Sequence, residues 1–146
     1  GTGTFKPVKC EEIEDHPMDS EEFSIPKETL NAVIKAKKEG RRIFSVGTTT
    51  TRALETIADV FTNHEPRTTP PLAGQANHDG ATNLFIYPGY EFKTVDCLLT
   101  NFHLPKTTLF MLACAFAGRE LIMRAYQEAV KERYRFYSYG DAMLIV

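Results

Sequence analysis

Two spacings of apolar residues divide the chain into short strands and amphipathic helices. Leu30, Val33 and Ile34 form a narrow stripe between Pro26 and Gly40, predicting a surface helix entered at the proline and left at the glycine. Glu28 suits its positive end, and Lys35, Lys37, Lys38, Arg41 and Arg42 crowd its negative end, where they complement the dipole or touch a phosphate backbone. Residues 42–46 then read as a strand. Gly47 and four threonines turn it into a helix, in which Ala53, Leu54, Ile57, Ala58 and Phe61 share one buried face. Earlier, shorter extended pieces are expected around Phe5, Pro7 and Val8 and around Phe23 and Ile25.

Residues 62–82, with Pro66, Pro70, Pro71, Gly74 and Gly80, read as one mobile connection carrying His64 and His78 as exposed loop histidines. Leu84-Phe85-Ile86-Tyr87 reads as a strand closed by Pro88-Gly89, and residues 95–99 as a second buried strand. After the polar residues Thr100, Asn101 and His103, Pro105 stops the chain, and a helix apolar nearly all round begins near Thr107. Gly118-Arg119-Glu120 separates it from a helix with Leu121, Ile122, Ala125, Tyr126, Ala129 and Val130 in a wide stripe. Gly140-Asp141 opens a last strand over 142–146. Strands alternating with helices predict an α/β fold, a helix-covered, largely parallel or mixed sheet in Rossmann-like layers.

The 146 residues amount to one domain, and 42% hydrophobic with 25% charged residues is an ordinary globular balance. A formal charge of −2 denies the surface a general attraction for polyanions, so any nucleic-acid contact needs a local patch. Cys10, Cys97 and Cys114 lie far apart and in no metal-ligand spacing, which fits a reducing cytoplasm; Cys97 and Cys114 sit in apolar runs as small core residues. The longest apolar run, 109–117, is too short to cross a bilayer. The abrupt opening Gly1-Thr2-Gly3-Thr4 reads as the start of a fragment of something longer.

If the strands ending at Val46 and Leu99 run parallel, the loops 47–52 and 100–106 open on one edge, where open α/β sheets keep their ligands. Thr48, Thr49, Arg52, Asn101, His103 and Lys106 would then surround one crevice. His103 is the side chain there whose ordinary pKa lies near neutrality, so it either moves a proton or serves as a structural histidine beside the apolar helix. The threonine turn binds an anion or simply caps its helix; it lacks both the Gly-Lys-Ser/Thr ending of a P-loop and the three-glycine dinucleotide pattern. In residues 133–139 arginines interleave with aromatics, which stack on bases or pack Tyr134 and Phe136 inward.

Gly3-Thr4-Phe5 with Pro7-Val8, Val46-Gly47-Thr48-Thr49 with Arg52, Phe85-Ile86-Tyr87-Pro88-Gly89-Tyr90, Thr100-Asn101-Phe102-His103-Leu104-Pro105-Lys106, Phe116-Ala117-Gly118-Arg119-Glu120, and Arg133-Tyr134-Arg135-Phe136 with Ser138-Tyr139-Gly140-Asp141-Ala142-Met143 follow one another in fixed order. Together they resemble the carboxyl-terminal portion of the S-adenosylmethionine:tRNA ribosyltransferase-isomerase family of queuosine biosynthesis. The sequence departs from that pattern at Asp19, where the family usually has a histidine, and at Ala81, near its usual tryptophan.

The resemblance implies a fragment of a larger two-domain enzyme that acts as a monomer, without a membrane, on tRNA bearing 7-aminomethyl-7-deazaguanine at the wobble position. The ribosyl part of S-adenosylmethionine is transferred and isomerised to an epoxycyclopentane, giving epoxyqueuosine with loss of adenine and methionine. S-adenosylmethionine is consumed as substrate, and no resident cofactor or metal is implied. His103 and Asp141 are then the proton carriers, Arg52, Lys106 or Arg119 the grip on a carboxylate or phosphate, and Thr48, Thr49 and Asn101 the orienting groups. The alternatives are a tRNA-binding module or a scaffold segment, each inactive without the amino-terminal portion.

Overall fold

The structure, a computed structural model, describes Ile13, residues 16–62 and residues 77–146. The extended piece expected around Phe5, Cys10, His64 and the middle of the 62–82 connection lie outside the described residues.

Pro26 precedes α1 (Lys27–Lys38), whose buried residues are Leu30, Val33 and Ala36, with Gly40 taking a positive φ of 66° just past its end. β2 (Phe44–Val46) leads through Gly47, at φ 87°, into α2 (Thr48–Thr56), and Ile57 separates it from the short α3 (Ala58–Thr62). The predicted face Ala53, Leu54, Ile57, Ala58 and Phe61 is buried throughout. β4 (Cys97–Asn101) is followed by α4 (Thr108–Ala117), capped by the Thr107 hydroxyl, which accepts from the Phe110 amide at 3.3 Å. No residue of α4 is exposed, as its all-round apolar sequence requires. Gly118, at φ 83°, turns α4 into α5 (Arg119–Lys131). There the buried stripe is narrower than expected: Ile122, Tyr126 and Ala129 face inward while Leu121 and Val130 are exposed.

β2 pairs parallel with β4, and β5 (Ala142–Ile145) pairs antiparallel with β4, so the sheet β2-β4-β5 is mixed. The fold is α/β as expected, with the mixed form of sheet. Ser45, Leu98 and Ile145 align across the strands on the inner face, and Leu98 and Ile145 meet Ile86 and Leu112 there. Val46, Leu99 and Leu144 align on the other face and are 66%, 37% and 56% exposed, so among the described residues the helices cover one side only.

Two expectations are corrected. The 62–82 connection is not one unstructured stretch: His78–Thr82 forms β3, antiparallel to β1 (Glu21–Ile25), and His78 is half-buried with its ring 6.1 Å from that of Phe23. Gly80 sits under that ring, where an added Cβ would come within 2.8 Å of it. Residues 84–87 form no strand; at Leu84 side chains rather than a ladder satisfy the backbone, since Arg52 Nε donates to Leu84 O at 2.9 Å and the Leu84 amide donates to Thr82 Oγ1 at 3.1 Å.

These side chains belong to a wider arrangement centred on α2. Arg52, 3% exposed, also meets Glu21 Oε2 at 2.6 Å through Nη1 and Thr82 O at 3.5 Å through Nη2. One turn on, buried Glu55 accepts the amides of Thr94 and Val95 on Oε1 and that of Lys93 on Oε2, each at 2.9 Å, together with the Tyr90 hydroxyl at 3.2 Å. One helix therefore holds the β1–β3 ribbon with a guanidinium and the approach to β4 with a carboxylate. Replacing Glu55 by Ala strands several of these donors and should cost about 3 kcal/mol of stability. Urea unfolding would measure that loss, and hydrogen exchange should show the Thr94 and Val95 amides losing protection first.

Candidate functional site

Parallel pairing of β2 with β4 brings their carboxyl ends to one edge. Val46 lies opposite Leu99, and the Gly47 amide extends the ladder by donating to Leu99 O at 2.8 Å. The threonine turn and the 100–106 bend are therefore neighbours, about one strand spacing of 4.8 Å apart. β5 starts opposite Asn101, so the 137–141 turn joins the same rim.

At the head of α2, Thr48 is buried and Thr49 exposed, while Thr51 Oγ1 lies 2.9 Å from Ser45 Oγ and 3.0 Å from Gly47 O. Thr51 thus ties the helix start to the strand, and Thr49 faces solvent at the positive end of the helix.

The bend is built on Phe102, which is buried between Tyr126, Tyr134 and Phe136 with ring centroids at 5.3, 5.8 and 5.3 Å. The next residue, His103, is held twice: its amide donates to the Tyr126 hydroxyl at 2.8 Å, and its Nε2 lies 2.7 Å from Thr100 Oγ1. Burial pushes the imidazole pKa down to about 4, so the ring is neutral at pH 7. In this state it is a weaker base than an ordinary imidazole. Burial likewise pushes the Tyr126 hydroxyl up to about 12, which keeps it protonated as a fixed part of the bend.

The remaining candidates divide. Asn101 belongs to the rim, and its Nδ2 donates to Gly140 O at 3.3 Å and Asp141 O at 3.4 Å, fixing the neighbouring turn. Lys106, three residues beyond His103, is exposed in a left-handed conformation at φ 64°. Asp141 lies on the rim but is occupied: its carboxylate accepts from the Arg135 amide at 2.7 Å and meets Arg135 Nη2 at 3.1 Å, and hydrogen bonding to Arg135 holds its pKa below the usual carboxylate range. It closes a turn, and an ionised, engaged carboxylate is poorly suited to carry protons. Arg52 is likewise no free anion grip, because Glu21 and two backbone carbonyls take its guanidinium. Arg119 begins α5 beyond the far end of α4, about 15 Å of helix away from the bend. It does not join this rim.

Glu55 escaped the sequence reading, as did the contacts of Thr100 and Tyr126 with His103. The signal for Glu55 was present: Thr48, Thr51, Arg52 and Glu55 are spaced i, i+3, i+4, i+7 and are all buried. They form a polar stripe with the period of a buried helix face.

The profile of the queuosine biosynthesis protein family matches residues 1–145. The chain belongs to that family. A curated relative from Thermotoga maritima, the S-adenosylmethionine:tRNA ribosyltransferase-isomerase, is 53% identical over all 146 residues, which cover 40% of its length. The protein of that name from Polynucleobacter asymbioticus is 54% identical over 145 residues, covering 37% of its length. A crystal structure of the S-adenosylmethionine tRNA ribosyltransferase of Thermotoga maritima superimposes with a TM-score of 0.71 at 52% identity, over 86% of this chain and 40% of that one. The chain thus spans about 40% of the length of these family members.

The Thr100-Asn101-Phe102-His103 block is the bend just described, and its histidine gives a pH signature. The unfolded imidazole titrates near 6.5 and the folded one near 4, so the unfolded state binds more protons between those values. This contribution to stability should be complete above about pH 6.5 and disappear as the pH falls towards 4. An NMR titration of the His103 ring should accordingly show no protonation at pH 6; a midpoint near 6.5 would remove the buried, neutral imidazole from the account.

Proposed function

We propose that this chain forms the α/β part of an S-adenosylmethionine:tRNA ribosyltransferase-isomerase, working in the cytoplasm on tRNA carrying 7-aminomethyl-7-deazaguanine. The observation carrying this reading is the shared rim, where the β2–β4 pair sets the Gly47–Thr49 turn beside a bend bearing a neutral histidine. Family membership supplies the chemistry that such a rim would perform. The sulfonium of S-adenosylmethionine acidifies the adjacent C–H, a base removes the proton, adenine and methionine depart, and the ribosyl carbons end as an epoxycyclopentane on the aminomethyl nitrogen.

His103 is the base. In the tautomer that donates Nε2–H to Thr100 Oγ1, Nδ1 is left as acceptor. Bound phosphates and the methionine carboxylate place negative charge nearby and raise its proton affinity towards the working pH. Thr48, Thr49 and the start of α2 orient the methionine carboxylate, Lys106 reaches a phosphate, and Asn101 acts by fixing the 137–141 turn. S-adenosylmethionine is consumed, so the step needs no resident cofactor. The span of about 40% favours activity in the presence of the remaining length, with this chain alone serving as a binding or scaffold segment.

Titrating the chain separately with S-adenosylmethionine and with a modified anticodon stem-loop assigns each substrate to it or away from it. In a full-length homologue, changing the residue at the position of His103 to Ala should lower turnover about 100-fold or more while leaving RNA affinity unchanged. Turnover equal to the parent enzyme's would end the role of His103 as base.

A further inference from the structure

The 137–141 turn spends conformational strain on a side chain that does nothing for the fold. Tyr139 is 96% exposed, while Tyr134 and Phe136 of the same segment pack on Phe102. Tyr137 is left-handed at φ 72°, a conformation that bulky side chains rarely adopt. Gly140 is required because a Cβ there would collide with the carbonyl oxygens of Arg135 and Phe136. Nevertheless the turn is tightly fixed. The Gly140 amide donates to Tyr137 O at 2.9 Å, the Asp141 amide to Arg135 O at 2.8 Å, and Asn101 Nδ2 reaches the carbonyls of Gly140 and Asp141. The Tyr137 amide donates to Phe102 O at 2.9 Å, which seats the turn against the residue preceding His103.

A strained, well-anchored turn that holds an aromatic ring in water beside a candidate site fits a ligand with a flat apolar face. We infer that Tyr139 is a stacking platform for an unpaired RNA base next to the nucleotide brought to the His103 rim. The ring stands on an exposed turn rather than in a cleft, which suits a base on an extended strand better than an enclosed small molecule. This inference rests on the RNA-substrate reading above.

The test measures binding of a fluorescein-labelled anticodon stem-loop to this chain by anisotropy. Tyr139→Ala should weaken binding about tenfold, the value of one base–aromatic stack, and Tyr139→Trp should retain it. Thermal unfolding should be unchanged in both, since the ring buries nothing. The slope of affinity against salt should also be unchanged, because stacking releases no counterions. Parent-like affinity in Tyr139→Ala, or equal binding of a fully paired duplex of the same length, overturns the stacking role while leaving the RNA-substrate reading intact. Failure of the parent chain to bind the stem-loop at all overturns the stacking role as well and leaves this chain as a scaffold segment. Loss of S-adenosylmethionine binding in Tyr139→Ala with RNA affinity retained would assign the ring to that ligand's adenine and overturn the inference as well.

Discussion

Two opposite charges buried one turn apart on α2 hold the described structure together. Taking Arg52 and Glu55 out of water is costly unless every donor and acceptor is met, and here the partners come from distant segments: Glu21, Thr82 and Leu84 for the guanidinium, Tyr90 and residues 93–95 for the carboxylate. Segments that would otherwise need a ladder of their own are fixed by side chains of a helix. Since α2 also begins at the rim, the placement of Thr48 and Thr49 is tied to the same contacts.

The aromatic cluster does for the other half of the rim what α2 does for the first. Phe102 anchors the bend from below, Tyr126 receives the His103 amide, and Tyr137 donates back to Phe102 O. The bend is consequently fixed by three elements at once, β4 through Thr100 on the ring, α5 through Tyr126 on the His103 amide and the turn before β5 on Phe102 O. The neutrality of the ring follows from its burial.

Much of this was legible in the chain. Periodicity located α1, the buried face running through α2 and α3, and the enclosed α4, because each is a local pattern of apolar residues meeting a core. The parallel pairing and the shared edge followed from the order of strand, turn and helix. What escaped was non-local. Leu84-Phe85-Ile86-Tyr87 looks like a strand, but Arg52 competes for its backbone from 32 positions away. β3 was hidden because His78-Asp79-Gly80-Ala81-Thr82 has weak strand propensity and is stabilised by pairing with β1. Asn101 and His103 do lie on the edge that the order of elements implied, beside the turn carrying Asp141. That order gave no warning that Asp141 and Arg52 already have partners, because a residue's type does not reveal what its side chain touches.

The uncovered row Val46, Leu99 and Leu144 has a practical corollary for anyone preparing this polypeptide by itself. Among the described residues that row stays in water beside a formal charge of only −2, so polar replacements there favour solubility while leaving the aromatic cluster and the α2 contacts untouched.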